Sequence, residues 1–373
     1  MKVVDGKKSD RFSGAYNPNR FNALDSGICY AIILVAFYLV SLAMTNFFGD
    51  SLRALYKFDV YAYLVVSLLV SQVTIFAVAL VYSLVRKTNP FCGGGYAAKF
   101  DAVQFLMSFV LIMGLMMTLY HSHLQFGNDA ETILGDGFVP DNNLSVFSGV
   151  FALLYIVLTV VCPAVFEEML FRGIIMRGLE QFGSVAAIVL SSVAFALMHG
   201  NFSQLILQFA GGVAIATVVT ITGNYLIGCA MHAFNNLYSV FYGVLIQNLG
   251  EGITGVYVQA ATDAALILLG VAFLTISIIY FGKLALEKKK REWEGKPFAG
   301  RFDKVKYYEM TENGETKRIP HYVKAETRLR GEEDERLFSI CGKERSLNRK
   351  APFALSCIVF GAAITVAILM IFI

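Results

Sequence analysis

Charge is what this sequence has least of. Asp, Glu, Lys and Arg make up 16% of its 373 residues, where a soluble domain carries about a quarter. With 56% of residues drawn from AVILMFWYC, that shortage excludes a disordered chain, a collagen and an ordinary soluble enzyme. Paired cysteines are lacking too. None of Cys29, Cys92, Cys162, Cys229, Cys341 and Cys357 forms C-x-x-C, and four lie within long apolar runs. This argues against a disulfide framework and a thiolate metal site. No H-E-x-x-H, G-x-x-x-x-G-K-[ST] or G-x-G-x-x-G occurs. Ser191, Ser192 and Ser203 lack the Gly-x-Ser-x-Gly setting of a nucleophile elbow. No internal repeat is visible. No small-residue cleavage site follows a short apolar core near the N-terminus, so the first apolar run reads as an uncleaved helix.

What the chain has is apolar runs of spanning length, near 28–48, 60–85, 102–120, 146–170, 184–199, 204–222, 225–247, 263–285 and 351–373. A hydrocarbon core of ~30 Å takes about 20 helical residues. Lipid cannot hydrogen-bond a free backbone, and strand-like alternation is missing, so the runs are helices. The expected fold is all-α: a polytopic transmembrane bundle of about eight core helices plus a C-terminal ninth. Gly183, Gly200-Asn201 and Gly223-Asn224 mark tight turns between spans four and seven. The expected organisation is a cytoplasmic segment 1–27, a bundle 28–285, a charged cytoplasmic segment 286–350 and a final helix 351–373.

Lys and Arg are distributed on one side. Five precede Gly27, and Arg86, Lys87 and Lys99 flank the second and third spans. Arg172 and Arg177 close the fourth, and 19 lie between 283 and 350. The opposite loops hold Arg53 and Lys57 alone. Such a bias puts the N-terminus and residues 286–350 in the cytoplasm of what is read as a cell-membrane protein. The run Glu287-Lys288-Lys289-Lys290-Arg291 reads as an anchor on anionic membrane lipid. Nucleic acid is not expected as a partner, because 13 acidic residues accompany the 19 basic ones there. Whether 286–350 folds as a small unit or stays a loose tail is open at this level.

Spans four to seven concentrate ionisable and amide groups: Glu167, Glu168, Arg172, His199, His232, Asn235 and Asn236. Each charge costs several kcal/mol in a span unless paired or hydrated, so such groups mark function. Glu168 and Arg172 stand four apart and pair along one face, as a structural support. Glu167 points ~100° away, toward a different neighbour. Glu167 and His199 each lie 16 residues from Gly183, ~24 Å along antiparallel helices, at one height. The Gly183 turn, with polar Arg177, Glu180 and Gln181, is expected to project into the cytoplasm. His232 and Asn236 share a face at i, i+4. Phe195 reads as plain packing, and Gly211-Gly212 as a site of close helix approach. A shielded carboxylate gains basicity, so Glu167 suits a general base for water, with His199, His232 and Asn236 holding the water or an oxyanion. If a divalent metal such as zinc is bound, His199, His232 and Glu167 become its ligands.

Glu167-Glu168-x-x-x-Arg172, Phe195-x-x-x-His199 and His232-x-x-x-Asn236, in that order on successive spans, resemble the CPBP family of intramembrane proteases. That family includes the CAAX prenyl endopeptidase and many bacterial homologues, also called Abi proteins. The resemblance covers about residues 145–245. It implies a helical membrane endopeptidase acting on a membrane-associated or lipid-anchored peptide or protein substrate. It further implies Glu167 as the base, Glu168 and Arg172 as its support, and a buried site reached from the cytoplasmic side. Bacterial members also resemble bacteriocin-immunity proteins and scaffolds, so a non-catalytic scaffold is the competing reading. A proton-coupled transporter is a third, weakened by the missing inverted repeat.

Overall fold

The computed structural model describes residues 21–86, 101–134, 149–247, 252–293, 302–312, 315–324 and 351–371. The N-terminal segment before Phe21 and most of 286–350 lie outside the described residues. The helices are α1 (Ala23–Phe58), α2 (Val60–Arg86), α3 (Ala102–Leu134), α4 (Gly149–Glu168), α5 (Ser184–Met198), α6 (Leu205–Thr222), α7 (Tyr225–Gln247), α8 (Gly252–Trp293) and α9 (Phe353–Met370). The fold class is a polytopic helical bundle, as expected. Among the described residues, seven helical stretches are long and apolar enough to cross a membrane, and α5 is a shorter apolar helix. The protein is therefore a multi-pass integral membrane protein. Its outer faces agree: Phe47, Leu268, Val85 and Val185 are each more than 70% exposed, which suits lipid and not water.

The sequence left the charged segment undecided. Within it, Phe302–Glu312 and Glu315–Lys324 form an antiparallel hairpin, β1 and β2, in which Tyr307 pairs with Pro320 and Glu312 with Glu315.

Around the bundle, α9 packs on α1, α1 on α2, α2 on α4, α4 on α7, α7 on α3 and α3 on α8, while the α5–α6 hairpin packs onto α9, α7 and α3. The α1–α2 turn uses Asp59, whose carboxylate accepts from the Tyr61 and Ala62 amides. Glycines take positive φ where the sequence placed turns: Gly183 (98°), Gly200 (60°) and Gly223 (68°), a region L side chains avoid. Gly223 caps α6 in the left-handed conformation. At Gly212 a Cβ would sit 3.2 Å from Ser192 Cβ, so this position does allow close approach of α5 and α6.

One end of the bundle is fastened by polar contacts. Asp25 opens α1 in a capping box with Asn22. It also binds Tyr82 Oη at 2.9 Å and Arg86 Nε at 2.8 Å, at the close of α2. Gln181 accepts from the Ala23 and Ala351 amides and donates to the Ala351 carbonyl at 2.8 Å. The Gly183 turn therefore does not simply project into water. Arg177 is 2% exposed and paired with Glu180, and Gln181 is occupied in tying α1 and α9 together. A backbone amide and carbonyl at a helix start need partners, and an amide side chain can satisfy both.

Candidate active site

Pro163 lies inside α4. A proline has no N–H and frees the carbonyl four residues earlier, here Thr159. Asn236 Nδ2 of α7 donates to that carbonyl at 2.9 Å, and its Oδ1 accepts from Asn235 Nδ2 at 3.2 Å. In lipid a freed carbonyl must find such a partner. Six residues later the helix widens into a π segment, Met169–Ile175, and then resumes over Met176–Leu179. Tyr225 Oη donates to the Val165 carbonyl just before the widened turn, and Ser26 Oγ to the Ile175 carbonyl at its end. Widened turns of this kind recur at functional sites, and this one carries Arg172.

The two glutamates face different neighbours, as their spacing requires. Glu168 is fully buried and lies 3.0 Å from Arg172 Nη1. Its Oε1 also accepts from His232 Nδ1 at 2.9 Å. A carboxylate there can only accept, so Nδ1 carries the proton and Nε2 of a neutral ring keeps its lone pair. Arg172 Nη2 donates to the Gly212 carbonyl at 2.9 Å, which spreads its charge onto α6. Gly228 permits this packing, since a Cβ there would lie 3.5 Å from Glu168 Oε2 and 2.6 Å from Val219.

Glu167 is 5% exposed. Its Oε1 accepts from Gln72 Nε2 of α2 at 2.9 Å. Its Oε2 is buried without a hydrogen-bond partner and lies 3.9 Å from His232 Nε2. His199 caps α5 and its Nδ1 bonds the Phe195 carbonyl at 2.9 Å. Because a carbonyl only accepts, His199 likewise presents Nε2 as an acceptor. Phe195 sits edge-on to His199 and His232, with ring centroids 4.9 and 5.7 Å away. Its face receives the Arg172 guanidinium at 4.9 Å, a cation–π contact.

Glu167, Glu168, Arg172, His199 and His232 thus meet around the Phe195 ring, and Asn236 stands one turn along α7 from His232, bound to α4. One contributor was not singled out from sequence, and another was given a smaller part. Gln72 is a lone amide in a span of apolar and hydroxyl side chains, and that isolation was its signal. Phe195 was read as plain packing; in the structure it touches both imidazoles and the arginine. Among the described residues no three His, Cys, Asp or Glu side chains converge at metal-ligand spacing.

The fold and site define a polytopic membrane protein whose helices enclose a buried acid–imidazole centre. Residues 149–238 match the family model described as type II CAAX prenyl endopeptidase Rce1-like. The resemblance to the CPBP family therefore stands over that segment, about a quarter of the chain. No curated protein and no solved structure matches the chain.

Proposed function

We propose that the protein is an intramembrane endopeptidase in which Glu167 activates water. The carrying observation is the state of its carboxylate: one oxygen held by Gln72, the other buried, unpartnered and 3.9 Å from His232 Nε2. An oxygen so placed has no competing donor and can accept a proton from a water within its reach. In the reaction Glu167 Oε2 removes a proton from water, and the hydroxide bonds to the peptide carbonyl carbon. The resulting oxyanion is met by the second N–H of Asn236 Nδ2, while the Nε2 lone pairs of His199 and His232 accept from the water that Glu167 activates. Glu167 then returns the proton to the departing amine as the C–N bond breaks. Glu168 and Arg172 act through His232, holding its ring and tautomer. Phe195 keeps the two imidazoles apart and at fixed angles. The substrate is a peptide bond within a membrane-associated or lipid-anchored chain.

Turnover of such a substrate in proteoliposomes tests this. Glu167→Gln keeps the Gln72 contact and removes the base, so activity falls by about 100- to 10,000-fold; unchanged turnover removes Glu167 from the role. A chelator separates the water-based arrangement from a metal-dependent one. Activity persists in the first case and is lost, then restored by zinc, in the second.

A further inference from the structure

We propose that Asn235 is a substrate-binding residue: its Oδ1, facing a methyl-sized space left at Gly211, accepts a backbone N–H of the peptide beside the bond that is cut. This deepens the endopeptidase reading above and rests on it.

The orientation of Asn235 begins at Thr159. The Thr159 carbonyl, freed by Pro163, can only accept, so Asn236 must turn Nδ2 toward it. Asn236 Oδ1 is then left for Asn235, which must answer with Nδ2, at 3.2 Å. One amide fixes the next, and Asn235 Oδ1 is what remains. It is buried without a hydrogen-bond partner among the described residues, on a side chain whose residue is 7% exposed. A buried acceptor left unmet lowers stability, and native proteins keep few of them.

Gly211 supplies the space. It is buried in α6. Yet among the described residues, and apart from the backbone of its own helix, a Cβ there would meet one atom within 4 Å: Asn235 Oδ1, at 3.6 Å. Other buried glycines are tight. A Cβ would come within 2.9 Å of a neighbour at Gly27, 2.8 Å at Gly114, 2.6 Å at Gly228 and 2.5 Å at Gly270. Those glycines let helices touch, whereas Gly211 leaves room. Gly212, ~100° further round the helix, packs against Ser192 and Phe195, and its carbonyl receives Arg172. The space at Gly211 therefore lies on the α7 side of α6, one residue from a carbonyl that the arginine of the centre holds.

A peptide backbone is the ligand that fits. In lipid every backbone N–H of an extended chain needs a partner, so a site that holds a peptide for hydrolysis has to supply acceptors as well as donors. Asn236 offers its second N–H, and the adjoining Asn235 offers Oδ1. A donor and an acceptor side by side present what a strand edge presents to an extended chain. The donor meets the carbonyl of the bond to be cut, and the acceptor meets a neighbouring N–H. Such a contact reads the backbone rather than a side chain. A residue without an N–H, such as proline or an N-methylated residue, is refused at that position.

A buried water would supply the same donor, and Gly211→Ala separates the two sources, because its methyl fills the space in ordinary contact with Oδ1. Palmitoylated peptides of randomised sequence are offered in proteoliposomes, and cleavage is read by mass spectrometry. One cleaved peptide is then resynthesised with each backbone amide N-methylated in turn. N-methylation at one position next to the cut is expected to lower kcat/KM about 10- to 100-fold for the native chain, and about threefold or less for Asn235→Leu. Gly211→Ala is expected to raise KM for the unmodified peptide by about 10-fold or more with kcat retained, as when ground-state binding is lost. Its melting temperature stays equal or rises, because alanine is the better helix former. A lower melting temperature for Gly211→Ala shows that a water held Oδ1, and overturns the proposal. So does an unchanged KM, or an N-methyl effect as large in Asn235→Leu as in the native chain. Gly211→Ala carries the test alone should Asn235→Leu not run as the native chain in gel filtration. These failures leave Glu167-dependent cleavage of the unmodified peptide in place, so the endopeptidase reading survives them. A native chain that cleaves no peptide, or a Glu167→Gln chain that cleaves as well as the native one, removes that reading and this proposal together.

Discussion

Glu168 is the residue on which the centre turns. It meets Arg172 at 3.0 Å and His232 Nδ1 at 2.9 Å with no solvent exposure. Removing one partner of a buried pair leaves the other charge uncompensated, at about 3–5 kcal/mol. Arg172→Ala is therefore expected to lower stability by that order, measured by unfolding in detergent. Arg172→Lys retains charge but loses the planar fork that reaches both Glu168 and the Gly212 carbonyl. Glu168→Gln is gentler on the fold and harsher on function. Its amide can present an N–H to Nδ1 and favour the wrong tautomer of His232, so kcat is expected to fall by about 100- to 10,000-fold with little change in KM. Equal loss from a merely structural cause would instead appear as reduced folded protein. His123, beyond the apolar part of α3, offers a pH test. Burial lowers its pKa, partly opposed by its bond to the Ser203 carbonyl at 2.9 Å. Above the unfolded value of about 6.5 the ring is neutral in both states and its contribution is intact. As pH falls below that value the unfolded chain takes the proton first, and stability declines. His123→Asn is expected to flatten that part of the melting-temperature profile against pH.

At the scale of elements, α4 departs twice from regular helix, and each departure is answered by another element. Pro163 frees the Thr159 carbonyl, and Asn236 fills it. Orphaning a buried carbonyl costs about 1–3 kcal/mol, whereas the net worth of one hydrogen bond is nearer 1 kcal/mol. Asn236→Leu is thus expected to destabilise the native chain by that order. It should cost much less in a Pro163→Ala background, where the replacement alanine brings its own N–H to the Thr159 carbonyl. A double-mutant cycle on unfolding free energy checks this, and additive effects would contradict it. The link was hidden in the sequence because Thr159 and Asn236 stand 77 positions apart. By contrast, the Glu168–Arg172 pair and the Gly183, Gly200 and Gly223 turns were legible, because local spacing and backbone strain act within one or two helical turns. The ends of α1, α3 and α8 run well past the apolar runs that announced them, since polar residues continue a helix readily once it leaves the hydrocarbon.

Across the whole molecule, α9 is held by the side chain of Gln181, which bonds both the amide and the carbonyl of Ala351. α9 also packs along α1, where a Cβ at Gly27 would meet the Phe360 backbone at 2.9 Å. Gln181→Leu is expected to lower the melting temperature and to free the C-terminal span for proteolysis. Gly27→Leu is expected to displace α9 outright. The measurement is limited proteolysis in detergent with detection of the 351–373 fragment; an unchanged pattern for both would show that α9 is held by other contacts.

The sequence alone determined that this is a membrane protein of many helices, where its turns fall and that ionisable and amide groups concentrate in spans four to seven. Those properties follow from hydrophobic length, glycine conformations and the cost of charge in lipid, all readable residue by residue. The tertiary structure decided which of those groups meet. Gln72 holds one oxygen of Glu167, Glu168 accepts from His232 Nδ1, and Phe195 stands edge-on to both imidazoles. Each depends on distances between helices remote in the chain, and packing fixes these where periodicity cannot.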